Sequence, residues 1–152
     1  MPGVPTTREH ASLRIWPRER GAGTAAHVTQ MLAVEPTKSH EAGDARSQRD
    51  SRTWGNAMWQ LHSDLPWERP LSDHLEQLCS AMQGHREALR RLTQDGYAMD
   101  VFCFVELENG QGGVLISPEL LRKLGDLSLE LDLDIYAHDD EAQLVADDRR
   151  RR

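Results

Sequence analysis

The sequence predicts an α+β fold: a mixed or antiparallel sheet of about five strands, with about three helices packed mainly on one face. Two stretches of regular alternation, Tyr97–Leu107 and 128–136, indicate strands with one apolar face. Segments with helical leucine spacing lie between the strands, and the longest begins at Ser72. A chain of 152 residues fits a single domain, which we expect to span residues 11–138.

The first elements follow a tail, residues 1–10, whose prolines and scarcity of apolar residues predict disorder. Residues 11–16 alternate as a short strand that ends at a proline. Thr24 is a suitable N-cap for a helix over 25–34. Residues 54–62 alternate again, so they predict a second strand.

The middle of the chain combines an irregular segment with the longest helix. Residues 35–53 hold proline, glycine and charged residues without periodicity, which predicts a connection followed by a mobile loop. The helix from Ser72 keeps its leucine spacing up to Gly96, with Gly84 as a weak point inside it. A right-handed crossover through this helix would make Tyr97–Leu107 parallel to the preceding strand.

The last third of the chain predicts a hairpin, a helix and a final strand. An Asn-Gly pair after Tyr97–Leu107 indicates a tight turn that returns as a strand over 114–117. Ser117, followed by proline and glutamate, is a typical helix start. The register of the strand over 128–136 is firmly specified, because a one-residue slip would bury three carboxylates. Residues 139–152 are highly charged, which predicts a disordered tail.

Composition and charge limit the classes of partner. A net charge of −7 and a pI near 5.4 argue against nucleic acid and anionic membranes, and they allow a basic protein partner. No segment approaches the ~20 apolar residues of a membrane span, and the N-terminus lacks a signal pattern. Cys79 and Cys103 form no metal or redox motif. We therefore expect a cytoplasmic protein without a cofactor.

Several segments resemble one bacterial family in their order and spacing. They are SLRIW near the start, LAVEPTKSHEAGD after the first helix, then GYAMDVFC and ISPELLRKLGDLSLELDLDIY. Together they resemble the family catalogued as domain of unknown function 4279, over roughly residues 11–138. The resemblance implies a fold and a bacterial source. It implies no established activity, so no catalytic residue is carried over.

One functional hypothesis is a hydrolase-like or metal-dependent enzyme. The sequence contains no P-loop, nucleophile elbow, zinc spacing or dinucleotide fingerprint. If their strands are neighbours, Asp100, Asp132 and Asp134 would gather on the open sheet face, and His62 would join them from another strand. A solvated acidic strand face is the simpler interpretation. Cys103 points into the predicted core, where a thiol acts as a small hydrophobe.

The second hypothesis, which we favour, is a non-catalytic protein-binding module. Aromatic rings surrounded by acids suit contact with a basic partner, and many small acidic bacterial proteins are immunity proteins that neutralise toxins. Loop 45–53 or a terminal tail could instead cover these rings. The candidate contact residues on the open sheet face are Trp16, Asp100, Phe102, Phe104, Asp132, Asp134 and Tyr136.

Overall fold

The computed structural model describes residues 6–138, and its centre is a sheet covered by helices on one face. Regular elements account for most of this part of the chain. In chain order they are β1 (Thr6–Pro17), α1 (Ala25–Leu32), β2 (Lys38–His40), β3 (Ala45–Ser47), β4 (Asp50–Thr53), β5 (Met58–His62), α2 (Leu71–Met82), α3 (Arg86–Gln94), β6 (Tyr97–Leu107), α4 (Pro118–Asp126) and β7 (Glu130–Ala137).

The main sheet has five strands in the order β2–β5–β1–β6–β7, and β3 and β4 form a separate two-stranded sheet. The middle strand β1 is antiparallel to both β5 and β6, whereas β7 is parallel to β6. Strands β5 and β6 therefore run in the same direction, as the predicted crossover requires, but β1 lies between them. The α+β class and the mixed sheet predicted from the sequence are confirmed.

The core lies between the sheet and the helices. Alternate residues of the strands face the helices, and Leu13, Trp59 and Val101 are fully buried there. From the helices, Leu75 and Leu92 complete the same cluster. Burying each such side chain contributes about 1.5–3 kcal/mol, so the period-two pattern of β1 and β6 accounts for much of the stability of this layer.

Both cysteines belong to this core, as the strand pattern predicted for Cys103. Cys79 and Cys103 are buried and free. Burial raises the pKa of Cys79 to about 11 and that of Cys103 to about 12. Both thiols are therefore protonated at neutral pH, and neither has the lowered pKa of a reactive thiolate.

Two predicted helix starts are confirmed by their capping bonds. The hydroxyl of Thr24 accepts a hydrogen bond from the backbone N–H of His27 at 3.0 Å, and helix α1 follows. The hydroxyl of Ser117 accepts from the N–H of Leu120 at 3.1 Å, with Pro118 at the first helical position. Such caps contribute roughly 1 kcal/mol each.

The predicted long helix is two helices. Helix α2 begins at Leu71 rather than Ser72, and a 3-10 turn over Gln83–His85 separates it from α3. The break contains Gly84, whose low helix propensity was the weak point of the pattern. The expected C-terminal glycine is confirmed, because Gly96 adopts a positive φ of 90°.

The N-terminal boundary of the domain was predicted too late. Strand β1 begins at Thr6, so residues 6–10 belong to the sheet rather than to a tail. The buried Glu9 carboxylate accepts from the N–H of Leu71 at 2.8 Å, and the Glu9 N–H donates to the carbonyl of Trp67 at 2.7 Å. Backbone pairing holds this segment, which a scarcity of apolar residues does not reveal. Residues 1–5 and 139–152 lie outside the described part of the chain.

Deleting residues 1–9 should therefore lower the free energy of unfolding by ~2–3 kcal/mol, because it removes strand pairing and the carboxylate at the start of α2. Thermal melting followed by circular dichroism measures the loss. A deletion of residues 1–5 removes none of these contacts and is the matched control. Equal melting temperatures for the two deletions would show that Glu9 and its neighbours do not support the fold.

The predicted return strand over 114–117 is wrong. Strand β6 ends in a 3-10 turn at Glu108–Gly110, and residues 111–117 pair with no other strand of the described chain. The physical reason is the sheet order, because β6 already pairs with β1 on one side and with β7 on the other. A hairpin partner would have no edge of β6 to bind.

The irregular segment predicted over 35–53 contains three short strands. Lys38–His40 pairs with the edge of β5, and Ala45–Ser47 pairs with Asp50–Thr53. Nearly all their side chains are polar and exposed. Because backbone hydrogen bonds make these strands, hydrophobic alternation gives no signal for them.

The last strand has the predicted alternation but less cover than expected. Leu129 is buried, yet Leu133 and Ile135 are 45% and 54% exposed. They point to the helix side of the sheet at its edge, where the helices no longer cover them. Within residues 6–138, no helix is both long enough and apolar enough to cross a membrane.

Candidate partner-binding face

The sheet face opposite the helices, here called the open face, carries all seven candidate residues. The strand registers place alternate residues of β1, β5, β6 and β7 on it. Because neighbouring strands pair residue by residue, these side chains form rows across the sheet. One row contains His62, Ser12, Phe102 and Asp132, and the next contains His10, Phe104 and Asp134.

Arg14 is the centre of one half of the open face. Its guanidinium donates to the carboxylate of Asp100 at 2.8 and 2.5 Å and to Asp132 at 3.0 Å. The hydrogen bond to Asp100 raises the pKa of Arg14. The same guanidinium lies 4.5 Å from the ring centre of Phe102 and 5.7 Å from that of Trp16. Four of the seven candidate residues therefore surround one arginine.

This arrangement corrects the proposed carboxylate cluster. Asp100 is 6% exposed and bound by Arg14, so its oxygens are not free for a metal or for proton transfer. His62 is separated from Asp132 by Ser12 and Phe102 in the same row. Its Nε2 lies 3.2 Å from the side chain of Gln60. Among residues 6–138, no three His, Cys, Asp or Glu side chains are grouped in a way that could hold a metal ion.

Trp67 is the centre of the other half of the open face. Its ring stacks on His10 at 4.6 Å and meets Phe104 edge-on at 5.5 Å, and Phe104 lies 5.2 Å from Tyr136. The guanidinium of Arg8 lies 4.4 Å above the tryptophan ring. Trp67 therefore contacts one candidate residue, Phe104, directly, and it remains 38% exposed.

The length difference between β1 and β5 places Trp67 there. Strand β5 ends at His62, and the chain then turns into a loop over residues 63–70. The N–H of Ser63 donates to Ala11 at 2.9 Å, and the N–H of Glu9 donates to the Trp67 carbonyl at 2.7 Å. The loop therefore continues alongside β1 where β5 has ended, and it folds its tryptophan over the open face.

Three histidines lie beneath and beside this loop. His74 is fully buried, and its Nδ1 lies 2.6 Å from the hydroxyl of Ser63. The ring of His10 lies 5.5 Å from that of His74 and 5.7 Å from that of His62. Burial lowers the pKa of all three imidazoles below its usual value near 6.5. They are therefore predominantly neutral at pH 7.

A groove of about 540 Å³ lies between the Trp67 loop and the strands. This volume is within the ~300–1,000 Å³ that commonly holds small ligands or side chains. Residues 45–53, a candidate cover in the sequence analysis, form the β3–β4 hairpin, and none of them lines the groove. Its lining includes His10, Ser12, Gln60, Trp67, Phe102 and Phe104.

Strand β7 gives the open face an acidic edge. Asp132 keeps 55% of its side chain exposed while it binds Arg14. A hydrogen bond to Asp134 raises the pKa of Tyr136, whose ring is half exposed. Because Glu130 lies on the same side of the strand, three carboxylates line this edge beside the aromatic cluster. The arrangement can attract a cation and present a ring to the same partner.

The comparisons with known proteins identify one family. A family model described as "Domain of unknown function (DUF4279)" matches residues 6–138, which is the whole described chain. Neither a curated protein nor a solved structure matches the chain.

Proposed function

The chain belongs to the family of domain of unknown function 4279, and we propose that it is a non-catalytic protein-binding module whose open face contacts a basic partner. One observation carries the proposal. Trp67, Phe104 and Tyr136 form a continuous, partly exposed aromatic cluster directly beside the acidic strand β7.

The aromatic cluster supports binding because its rings are already ordered. Phe104 contacts both Trp67 and Tyr136, and Trp67 is stacked on His10. Rings held in this way provide large apolar contact area and lose little conformational freedom when a partner binds. Large exposed rings that touch one another on a sheet surface are also typical of interaction sites.

The charge distribution supports a basic partner. Asp132 and Asp134 lie beside the rings, and the chain carries a net charge of −7. Complementary charge speeds encounter and fixes orientation more than it adds affinity. An immunity-protein-like role, in which a small acidic protein covers a basic toxin, is one form of this proposal and rests on class analogy.

The geometry favours binding over the carboxylate-based enzyme. Asp100 and Asp132 share the guanidinium of Arg14, and His62 does not converge with them. A general acid or base needs a carboxyl group within hydrogen-bond distance of the reacting atom and free to exchange its proton. We also propose a cytoplasmic location, because both cysteines are buried, free thiols.

Truncating two rings should weaken binding at least tenfold. Peptides selected by phage display on the wild-type protein should be enriched in lysine, arginine and aromatic residues. Their affinity for the variant carrying Phe104→Ala and Tyr136→Ala should fall by about ten- to a hundredfold, the range of interface hot spots. Biolayer interferometry with the synthesised peptides measures the change.

The matched control removes two exposed apolar side chains elsewhere. Leu115 and Leu121 are 88% and 53% exposed and lie outside the sheet. The variant carrying Leu115→Ala and Leu121→Ala should bind the selected peptides as the wild type does. If the control loses affinity and the ring variant retains it, the contact surface lies on the helix side and the proposal fails.

A further inference from the structure

We infer that the groove and the acidic strand form one composite site for an extended polypeptide segment. The segment would place an aromatic side chain with a polar tip, as in tyrosine, in the groove. It would place a lysine or arginine three positions away on strand β7. The inference rests on the proposed function and names the chemistry of its partner.

The groove favours a ring without charge. Its walls are the rings of Trp67, Phe102 and Phe104. Arg14, the one arginine or lysine among the described residues that line the groove, is already compensated by Asp100 and Asp132. The imidazoles in the lining are neutral near pH 7, because burial lowers their pKa. A charged side chain would lose water in this groove without gaining an opposite charge.

The floor of the groove favours a ring with a polar tip. Ser12, Gln60 and His62 line it with a hydroxyl, a carboxamide and an imidazole. All three lie on the open face, and Ser12 pairs with His62 across the strands. These groups both donate and accept hydrogen bonds. His62 and Gln60 already share a contact of 3.2 Å. A phenol hydroxyl can bond to Ser12 and to their remaining donors and acceptors, whereas a phenyl ring would displace water from these groups without replacing its hydrogen bonds.

The row that crosses the sheet sets the distance to the cation. Ser12 pairs with Phe102, and Phe102 pairs with Asp132. Neighbouring strands are ~4.8 Å apart, so the groove above β1 lies about 10 Å from the carboxylates of β7. An extended chain in the polyproline II conformation rises about 3.1 Å per residue and completes a turn every three residues, so side chains three positions apart lie on the same side. A ring and a basic side chain three positions apart, with two residues between them, therefore match this separation.

The inferred segment crosses the strands and does not add to the sheet edge. A strand added beside β7 would run along it, and its side chains would alternate between the two faces. In that mode, the distance from Ser12 to Asp132 would not set the spacing between the ring and the basic residue. Dependence on spacing therefore distinguishes the composite site from edge pairing.

The test uses three capped peptides with the full, ¹⁵N-labelled chain. Each peptide contains one tyrosine and one arginine, separated by zero, two or five Gly/Ser residues. NMR titration should show the tightest binding at a separation of two, by about fivefold over the other spacings, the factor typical of one exposed ion pair. Shift changes should include Ser12, Phe102 and Asp134. Phenylalanine in place of tyrosine should weaken binding about threefold.

Two variants make the spacing test specific. Asp134→Asn should reduce the preference for a separation of two, because the cation loses a carboxylate that lies beside Asp132 on the same side of β7. Asp132 is kept because it also binds Arg14. Glu119→Gln removes an exposed carboxylate on α4 and should leave the preference unchanged. Equal affinity at all separations, or no binding of any of the three peptides, overturns the composite site. The proposed function still stands if the display-selected peptides depend on Phe104 and Tyr136, so the two failures are distinguishable.

Discussion

Replacing Val101 with aspartate should leave no cooperatively folded protein. Val101 is 0% exposed, and it pairs with Leu13 on one side and Leu131 on the other. A carboxylate there would have no cationic partner, because its neighbours on that face are aliphatic side chains of the core. Burial of an unpaired charge costs more than ~4–5 kcal/mol. A domain of this size has only about 5–15 kcal/mol of total stability.

Circular dichroism melting of the purified variant measures this effect. Leu133→Asp is a matched control, because Leu133 points to the same side of the sheet but is 45% exposed. Its variant should fold and melt cooperatively, with a small loss of stability. A soluble, cooperatively melting Val101→Asp protein would show that the strand faces are assigned the wrong way round.

Replacing Arg14 with methionine should lower the free energy of unfolding by about 2–3 kcal/mol. Asp100 is nearly buried and accepts two hydrogen bonds from Arg14. Removal of one partner of a buried pair typically costs about 3–5 kcal/mol, and the partial exposure of Arg14 reduces that figure. The loss should exceed that of any surface ion pair in the described chain.

A double variant separates the ion pair from packing. Arg14→Met combined with Asp100→Leu removes both charges, so it should recover most of the lost stability. Arg90→Met breaks the exposed pair between Arg90 and Glu87 and should leave the melting temperature unchanged within error. If Arg14→Met behaves like Arg90→Met, the arginine does not hold the open face together.

The faces of the long strands could be predicted from the sequence because hydrophobic alternation reports burial directly. Cys103 was placed inside and Phe102 and Phe104 outside, and the strand register agrees. The cap at Ser117 was also predictable, since a capping bond depends on neighbouring residues.

The parts that could not be predicted depend on contacts between distant residues. Arg14 and Asp100 are 86 positions apart, and no local pattern shows that their strands are neighbours. Trp67 lies over the open face because β5 ends before β1 does, which is a property of the assembled sheet. His74 can lie on the buried side of its helix because its ring meets the hydroxyl of Ser63. The sequence around a histidine does not indicate such a hydrogen-bond partner.

The measurement that tests the central claim most directly is a chemical-shift map of the ¹⁵N-labelled chain with a display-selected basic peptide. We expect the largest shifts on the open face, at Trp67, Phe104 and Tyr136, with small changes at Leu121 on α4. The indole N–H of Trp67 should shift with the same concentration dependence as the strand amides. Shifts confined to α2, α3 and α4, with the three ring residues unmoved, would contradict the account.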